Sequence, residues 1–505
     1  MSVFTVLVGL VVSLVLYVVY SFRKRLNYWK SQGIISEEPH PLMGNMVGLQ
    51  KEKSFGDIWL DYYKRFKGSG PFLGFYFFNR PAAFLLDPAL IKNILIKDFN
   101  KFTDRGFYHN EKDDPLSGQL FLIDGQKWRR MRNKLSPTFT SGKMKHMFPI
   151  VREIGEQFVK VLEQMAKHQP DIEMREMLAR FTTDVIGSCA FGIECGSLKN
   201  PYAEFRVMGK RSVEDHRHGR LVMAFISSFP KLAAKLHFKL FPEDIINFFL
   251  RIVRESVEYR EKNNVRRNDF MDMLIDLKNK KLVKAEHGED LTNLTMEEIT
   301  AQAHVFFNAG FETSSTTMGF ALYELAQHED IQERARTEVL EVLKRHNNEF
   351  TYESMKEMLY LEQIIAETLR LYTVVPVLNR QCLEDYVVPG HPKYIIKKGM
   401  PVLIPAIALH HDEQYYPNPT EFNPEHFSAD KVASRDSILY IPFGDGPRNC
   451  IGMRFGKMQT CVGLALLLQN FKFSVCSETQ IPMRYDKKSF LISSEKGITL
   501  KVTKI

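Results

Sequence analysis

The sequence lacks the signatures of several common chemistries. Its six cysteines, Cys189, Cys195, Cys382, Cys450, Cys461 and Cys476, form no C-x-x-C pair and no zinc spacing. There is no G-x-G-x-x-G after a strand, no P-loop and no His-x-x-x-His, so the chain carries no fingerprint for binding a nicotinamide or flavin nucleotide, nor for a zinc protease. Internal repeats and low-complexity segments are absent, and after residue 22 no uncharged run approaches the length of a membrane span. These absences exclude a zinc module, a disulfide-stapled secreted domain, a solenoid and a polytopic membrane protein.

What is present is a body of ordinary globular composition. Apolar residues make up 44% and charged residues 25%, with a formal net charge of +8. A prior of roughly 150 residues per domain gives about three domains for 505 residues. The 38 Phe and 21 Met stand against only 3 Trp, which predicts a ring-rich, deformable apolar interior. Core packing and the lining of a ligand pocket both account for such an excess.

From Met1 to Phe22 no residue is charged, and the run stops at Arg23-Lys24-Arg25. About 20 helical residues cover the roughly 30 Å hydrocarbon layer. The segment lacks the positive start and small-residue end of a cleavable signal, so it reads as an uncleaved anchor. The cluster after it keeps the body on the cytoplasmic side. The predicted organisation is an anchor over 1–22, a basic, Pro-containing linker over 23–50, and a catalytic domain over 51–505.

Within the body, Pro71 to Leu86 reads as a hairpin and residues from about 88 to 370 read as helices. The clearest helix opens at Thr295, which forms a capping box with Glu298 and meets no proline before about Gln327. Beyond 375 come short strands and Pro-rich loops, then an apolar helix over about Gly452 to Asn470. The fold class is mainly α with a smaller β region.

The strongest local signal is Phe443-Gly444-Asp445-Gly446-Pro447-Arg448-Asn449-Cys450-Ile451-Gly452. Two glycines and a proline fix a tight loop, and a cysteine then arrives before a helix N-terminus, where unpaired N–H groups favour thiolate. Such a cysteine is a metal ligand, a nucleophile or an inert core residue. Elsewhere, Glu312 and Thr313 set an acid beside an alcohol, and the alternatives for them are a buried ion pair and a back-bond to a helix carbonyl. Glu367 and Arg370 share a helical face as an ordinary i,i+3 pair, and Trp128 fits a core aromatic.

Taken together, these residues resemble the cytochrome P-450 superfamily. Phe443, Gly446, Arg448, Cys450 and Gly452 fill its haem-binding frame, and Ala309-Gly310-Phe311-Glu312-Thr313-Ser314 is similar to its oxygen-activation segment. Glu367 and Arg370 match its Glu-x-x-Arg pair, Trp128 and Arg132 its Trp-x-x-x-Arg. The order is the family's, from anchor to C-terminus. The segments beginning at Asp184, Ala309 and Pro442 resemble most the insect microsomal xenobiotic-metabolising enzymes of family six.

The resemblance implies a P-450 fold, with a long central helix over the haem, and a monooxygenase. It implies haem b with Cys450 as axial thiolate ligand, propionates held by Trp128, Arg132, Arg380 and Arg448, and oxygen chemistry at Glu312, Thr313, Ala309 and Gly310. A structural clamp pairs Glu367 with Arg370 and is completed by a meander residue. Here the chain departs from the pattern, because His426 stands where the family has arginine and lacks the guanidinium fork.

Electrons would come from NADPH–cytochrome reductase, with cytochrome b5 a second donor, docking on Arg129, Arg130, Lys134, Arg454 and Lys457. A lipid bilayer and a lipophilic substrate are further partners, and no nucleic acid is expected. Positions matching the family's recognition regions are Phe107, Tyr108, Phe121, Val305, Phe306, Val374, Val375, Leu378, Phe490 and Leu491. They predict an apolar, aromatic-edged pocket on an enzyme of the endoplasmic reticulum membrane. The competing readings are a haem-thiolate isomerase or dehydratase, a non-catalytic haem or gas sensor, and a hydrolase using Cys450.

Overall fold

Helices dominate wherever apolar residues recur at helical spacing, and the caps the sequence supplies are used. The computed structural model describes residues 3–215, 217–279 and 293–505, apart from the side chains at 14, 15, 18 and 220. Ser54 and Asp57 form a capping box at the start of the helix Phe55–Phe66, and Thr295 and Glu298 form one at the start of the central helix Met296–Gln327. That central helix is 32 residues long and buried over most of its length. Such a helix has no solvent face and is surrounded by others. It packs against Met174–Ile186, Glu243–Asn263, Leu359–Leu371 and Met453–Asn470.

The β region is small and sits to one side. Strands β1 (Phe72–Phe77) and β2 (Arg80–Leu85) form the predicted hairpin, with Phe72 opposite Leu85. Strand β3 is Asp171–Glu173, β4 Leu378–Gln381, β5 Tyr386–Val387, β6 Ile395–Ile396 and β7 Pro401–Ile404. Strands β8 (Phe471–Ser474) and β9 (Thr499–Lys504) close the chain. One sheet has the order β1-β2-β7-β4, a second β3-β9-β8, and β5 pairs with β6. Sheet one carries Arg380 on β4, antiparallel to β7, and so aims that side chain at the interior.

A single apolar cluster runs from Trp29 to Val502, so the prior of three domains gives way to one body. A satellite of Tyr108, Ile226 and Ala233 lies apart from it. The linker expected over 23–50 is also corrected. Trp29, Ile34, Met46 and Leu49 are buried in the main core. Trp29 donates from its backbone N–H to Tyr76 Oη at 3.1 Å and from Nε1 to Phe75 O at 3.0 Å. Gly74 makes room for the indole, because a Cβ there would lie 2.4 Å from Trp29 Cγ. The polar appearance of 23–50 conceals a few large apolar anchors that tie it to β1.

The N-terminal run is helical, Val3–Leu26, with its described side chains exposed up to Tyr20 and Arg23, Lys24 and Arg25 in its last turn. Among the described residues no helix is long and apolar enough to cross a membrane. The undescribed side chains at 14, 15 and 18 interrupt this run, and residues 1 and 2 lie outside the described residues. The run's length and lack of charge are those of the sequence itself.

Replacing Trp29 by alanine should lower stability by about 3 kcal/mol or more, the cost of truncating a fully buried large aromatic. Denaturant unfolding of the Trp29→Ala variant checks this, and a midpoint equal to the parent's would return residues 23–50 to the status of a linker.

Candidate active site

The loop before the helix Met453–Asn470 is shaped by two left-handed glycines, Gly444 (φ 69°) and Gly446 (φ 70°). A Cβ at Gly446 would lie 1.9 Å from Leu95 O, so this glycine is required for backbone contact. The Cys450 N–H donates to Phe443 O at 2.8 Å, which closes the loop and turns the sulfur inward. Cys450 lines an apolar cavity of about 300 Å³, and the surface it exposes faces that cavity. Burial pushes its thiol up, while the Gly452 N–H, Arg132 and Arg105 pull it back. Burial thus opposes the ionisation that the Gly452 N–H and the two arginines favour. Of the other five cysteines, all free, only Cys189 also reaches the cavity, and burial pushes its thiol up too.

Among the described residues four guanidinium groups border the same cavity: Arg105, Arg132, Arg380 and Arg448. Arg132, on the helix Gly125–Leu135, donates to Asn449 O and Asn449 Oδ1, both at 2.8 Å, and so holds the residue before Cys450. Arg448 donates to Ile123 O at 2.6 Å, to Thr103 O and to Asp124 Oδ1 at 3.3 Å, and its guanidinium lies 4.6 Å from the Trp128 ring centroid. Trp128 thus supports an arginine within the cavity wall. Burial together with Arg448 brings Arg380 down to about 9, and burial with Arg448 and Arg380 holds Arg105 well below the usual range. Arg380 Nε and Arg448 Nε are buried without a hydrogen-bond partner. Arg105 carries no motif of its own in the sequence, and its role emerges only from the fold.

Opposite the loop, Ala309, Gly310 and Thr313 line the cavity from the central helix. Both alternatives raised by the sequence are realised here. Thr313 Oγ1 donates back to Ala309 O at 2.6 Å, and Glu312 turns away from the cavity to pair with Arg175 Nη2 at 3.3 Å. Of the predicted pocket residues, Phe107, Phe121, Val305, Phe306, Val374, Val375, Leu378 and Phe490 line the cavity. Two do not reach it. Tyr108 donates its hydroxyl to Phe238 O at 2.7 Å within the satellite cluster, and Leu491 packs against the main core. Phe139 and Phe270, absent from the prediction, add a ring cluster with Phe306.

A cytochrome P450 family model matches residues 35–502. The chain belongs to the cytochrome P450 family. It is 64% identical to cytochrome P450 6a9 of Drosophila melanogaster over the full length of both chains, and 62% identical to the probable cytochrome P450 6a21 of the same fly, again over both full lengths. Cytochrome P450 6A1 of Musca domestica is 50% identical, covering 98% of this chain and 97% of its own. A P450 is a monooxygenase carrying haem whose iron takes a cysteine thiolate. The cavity fits that group on its own terms. A thiol stands on one wall, and buried guanidinium groups with orphaned N–H groups call for the anions that two propionates provide.

Behind the P450 loop, Glu367 and Arg370 on the helix Leu359–Leu371 are fully buried and meet in a bidentate pair, with both N···O distances 2.7 Å. His426 Nδ1 lies 3.1 Å from Glu367 Oε1 and its Nε2 lies 3.1 Å from Pro417 O. Both partners are acceptors, so each contact needs a ring N–H to donate. A neutral ring keeps one donor and loses the other contact. Replacing His426 by alanine should loosen haem retention several-fold, whereas His426→Arg, whose fork offers donors to the same two acceptors, should keep it. Soret absorbance after gel filtration measures this, and equal retention in the alanine variant and the parent would refute it.

Proposed function

We propose that this P450 is an anchored microsomal enzyme that inserts one oxygen atom into lipophilic molecules, with xenobiotics such as plant toxins and insecticides, and lipophilic endogenous compounds, as the substrate range. The overall reaction is RH + O₂ + two electrons + two protons giving ROH + water. One observation carries the reading: a ring-lined apolar cavity lies between Cys450 and Thr313. An occupant of such a cavity is apolar, and whatever it presents to Thr313 lies across from the sulfur.

Haem, when bound, supplies the activation of oxygen. Cys450 Sγ would hold its iron, and Arg105, Arg132, Arg380 and Arg448 would face its carboxylates, with Trp128 backing Arg448. Ala309 presents only a methyl group to the cavity, while the room beside Gly310 is taken by Ile186, whose Cδ1 would lie 2.3 Å from a Cβ placed there. Thr313 Oγ1 holds its proton on Ala309 O, and releasing that bond would give it a donor to offer into the cavity. Glu312 would have to leave Arg175 before passing a proton to Thr313. Phe107, Phe121, Phe306 and Phe490 exclude water from the pocket.

Electron supply from NADPH–cytochrome reductase, with cytochrome b5 as second donor, is supported by Arg129 and Arg130, exposed on the helix that also carries Arg132, and by Arg454, exposed beside the Cys450 loop. Lys457 shares its charge with Glu362 at 2.9 Å and is the weaker candidate. Anchoring in the endoplasmic reticulum membrane, with the body cytoplasmic, is supported by the charge-free run 3–22 and by the Arg23-Lys24-Arg25 cluster that ends its helix.

Reduced protein under carbon monoxide should show the red-shifted thiolate-ligated band. A Cys450→Ser variant should lose it along with turnover, and a parent lacking that band would remove Cys450 as ligand. Deletion of residues 1–22 should move the protein from a membrane pellet into an alkaline wash, whereas release of the full-length chain by the same wash would show that the run does not span.

A further inference from the structure

Two consecutive carbonyls of the central helix receive side-chain donors. Ala309 O accepts from Thr313 within the helix, and Gly310 O accepts at 3.1 Å from Nε2 of Gln459, on the helix Met453–Asn470. Gln459 is fully buried and its Oε1 has no partner. A leucine would fill similar space without leaving a buried acceptor unsatisfied, so packing alone does not explain an amide here. Its orientation is set by chemistry, since the reverse flip would put two acceptors together.

The position of this bond gives it meaning. The helix bearing Gln459 begins at Met453, immediately after the Cys450 loop, while Ala309, Gly310 and Thr313 line the far wall of the cavity. The two helices also approach at Gly456, where an added Cβ would lie 3.8 Å from Ser314 Oγ. The amide is a strut between the element that starts at the sulfur and the helical turn opposite it.

We propose that Gln459 is a positioning residue for the oxygen chemistry. By holding the Gly310 carbonyl, it keeps the Ala309–Thr313 turn at the spacing that directs electrons into product rather than into hydrogen peroxide. The productive course is RH + O₂ + NADPH + H⁺ giving ROH + H₂O + NADP⁺, and the leak is O₂ + NADPH + H⁺ giving H₂O₂ + NADP⁺. Each consumes one O₂ and two electrons, so product and peroxide formed per NADPH should change in opposite directions. The proposal rests on the monooxygenase reading with Cys450 as ligand.

The test uses the full-length, haem-loaded protein with reductase, NADPH and an ethoxycoumarin as turnover probe. Gln459→Leu should cut product formed per NADPH about fivefold, with a matching rise in peroxide, an effect of the size that small misplacements produce. Its carbon monoxide band should persist, and its thermal midpoint should match or exceed the parent's because the orphaned Oε1 is gone. Backbone amide exchange over 309–314 should rise about threefold or more, since the strut is lost. Gln459→Asn, too short to reach, should leak likewise, and Gln459→Glu with a protonated carboxyl should recover coupling. Parent-like coupling or parent-like exchange in the leucine variant overturns the proposal, as does loss of the carbon monoxide band in both the leucine and asparagine variants. A parent without that band would instead sink the functional reading, while the exchange measurement would still judge the strut.

Discussion

Arg370 and Glu367 meet where no water reaches, and much of the architecture behind the loop hangs on that pair. All five N–H groups of the guanidinium have acceptors. Two go to Glu367, and the others go to His410 O, Pro419 O and Glu421 O at 2.7–3.1 Å. The end of the short helix Ala406–His410 and two points of the loop after it are thereby pinned to one helix. His410 then passes the constraint onward. Burial keeps its imidazole neutral, and Nε2 accepts from the Ile441 N–H at 3.0 Å, two residues before Phe443, whose carbonyl receives the Cys450 N–H. With Nε2 an acceptor, Nδ1 must carry the proton, which it directs to Thr373 Oγ1 at 2.6 Å. Breaking a buried pair of this kind typically costs about 3–5 kcal/mol, because the surviving charge has no solvent. Here the same break would also loosen the path to the sulfur.

The cavity arginines follow the opposite logic. Arg370 is saturated, whereas Arg380 and Arg448 each keep an Nε without a partner. Desolvation lowers all four of these cavity guanidinium groups, Arg448 further depresses Arg105 and Arg380, and Arg132 depresses Arg448, with Asp124 the carboxylate in direct contact with Arg448. A saturated buried arginine is architecture, and a cluster of undersatisfied ones is a receptor for anions. The difference lies in the count of acceptors around each residue, which residue type alone does not convey.

That distinction also marks the limit of what could be read from the sequence. The central helix was legible to within a residue, because a capping box and an unbroken 32-residue run are local signals. So were the hairpin and the helix after Cys450. The segment 23–50 misled, since three or four buried side chains hold it and composition averages them away. Glu312 and Tyr108 lie beside residues that do face the cavity, Thr313 and Phe107, and a neighbour along a helix or loop points elsewhere. Arg105 and Gln459 were missed because their partners are remote in sequence: Arg448 lies 343 residues from Arg105, and Gly310 lies 149 from Gln459.

The thiol and the arginines also constrain each other. Burial disfavours charge of either sign, so in the protein alone it holds the Cys450 thiol up and the surrounding guanidinium groups down. Each defect is the other's partial remedy, since Arg132 and Arg105 are what pull the thiol back down. Relief within the chain is incomplete, because the sulfur can still take a cation and Arg380 and Arg448 can still take anions, both within one apolar cavity. A flat group that is cationic at its centre and anionic at its rim answers both demands at once. Whatever binds here is therefore linked to the stability of the loop, the helix Gly125–Leu135 and β4 together, since all three carry guanidinium groups whose charge bound anions would offset.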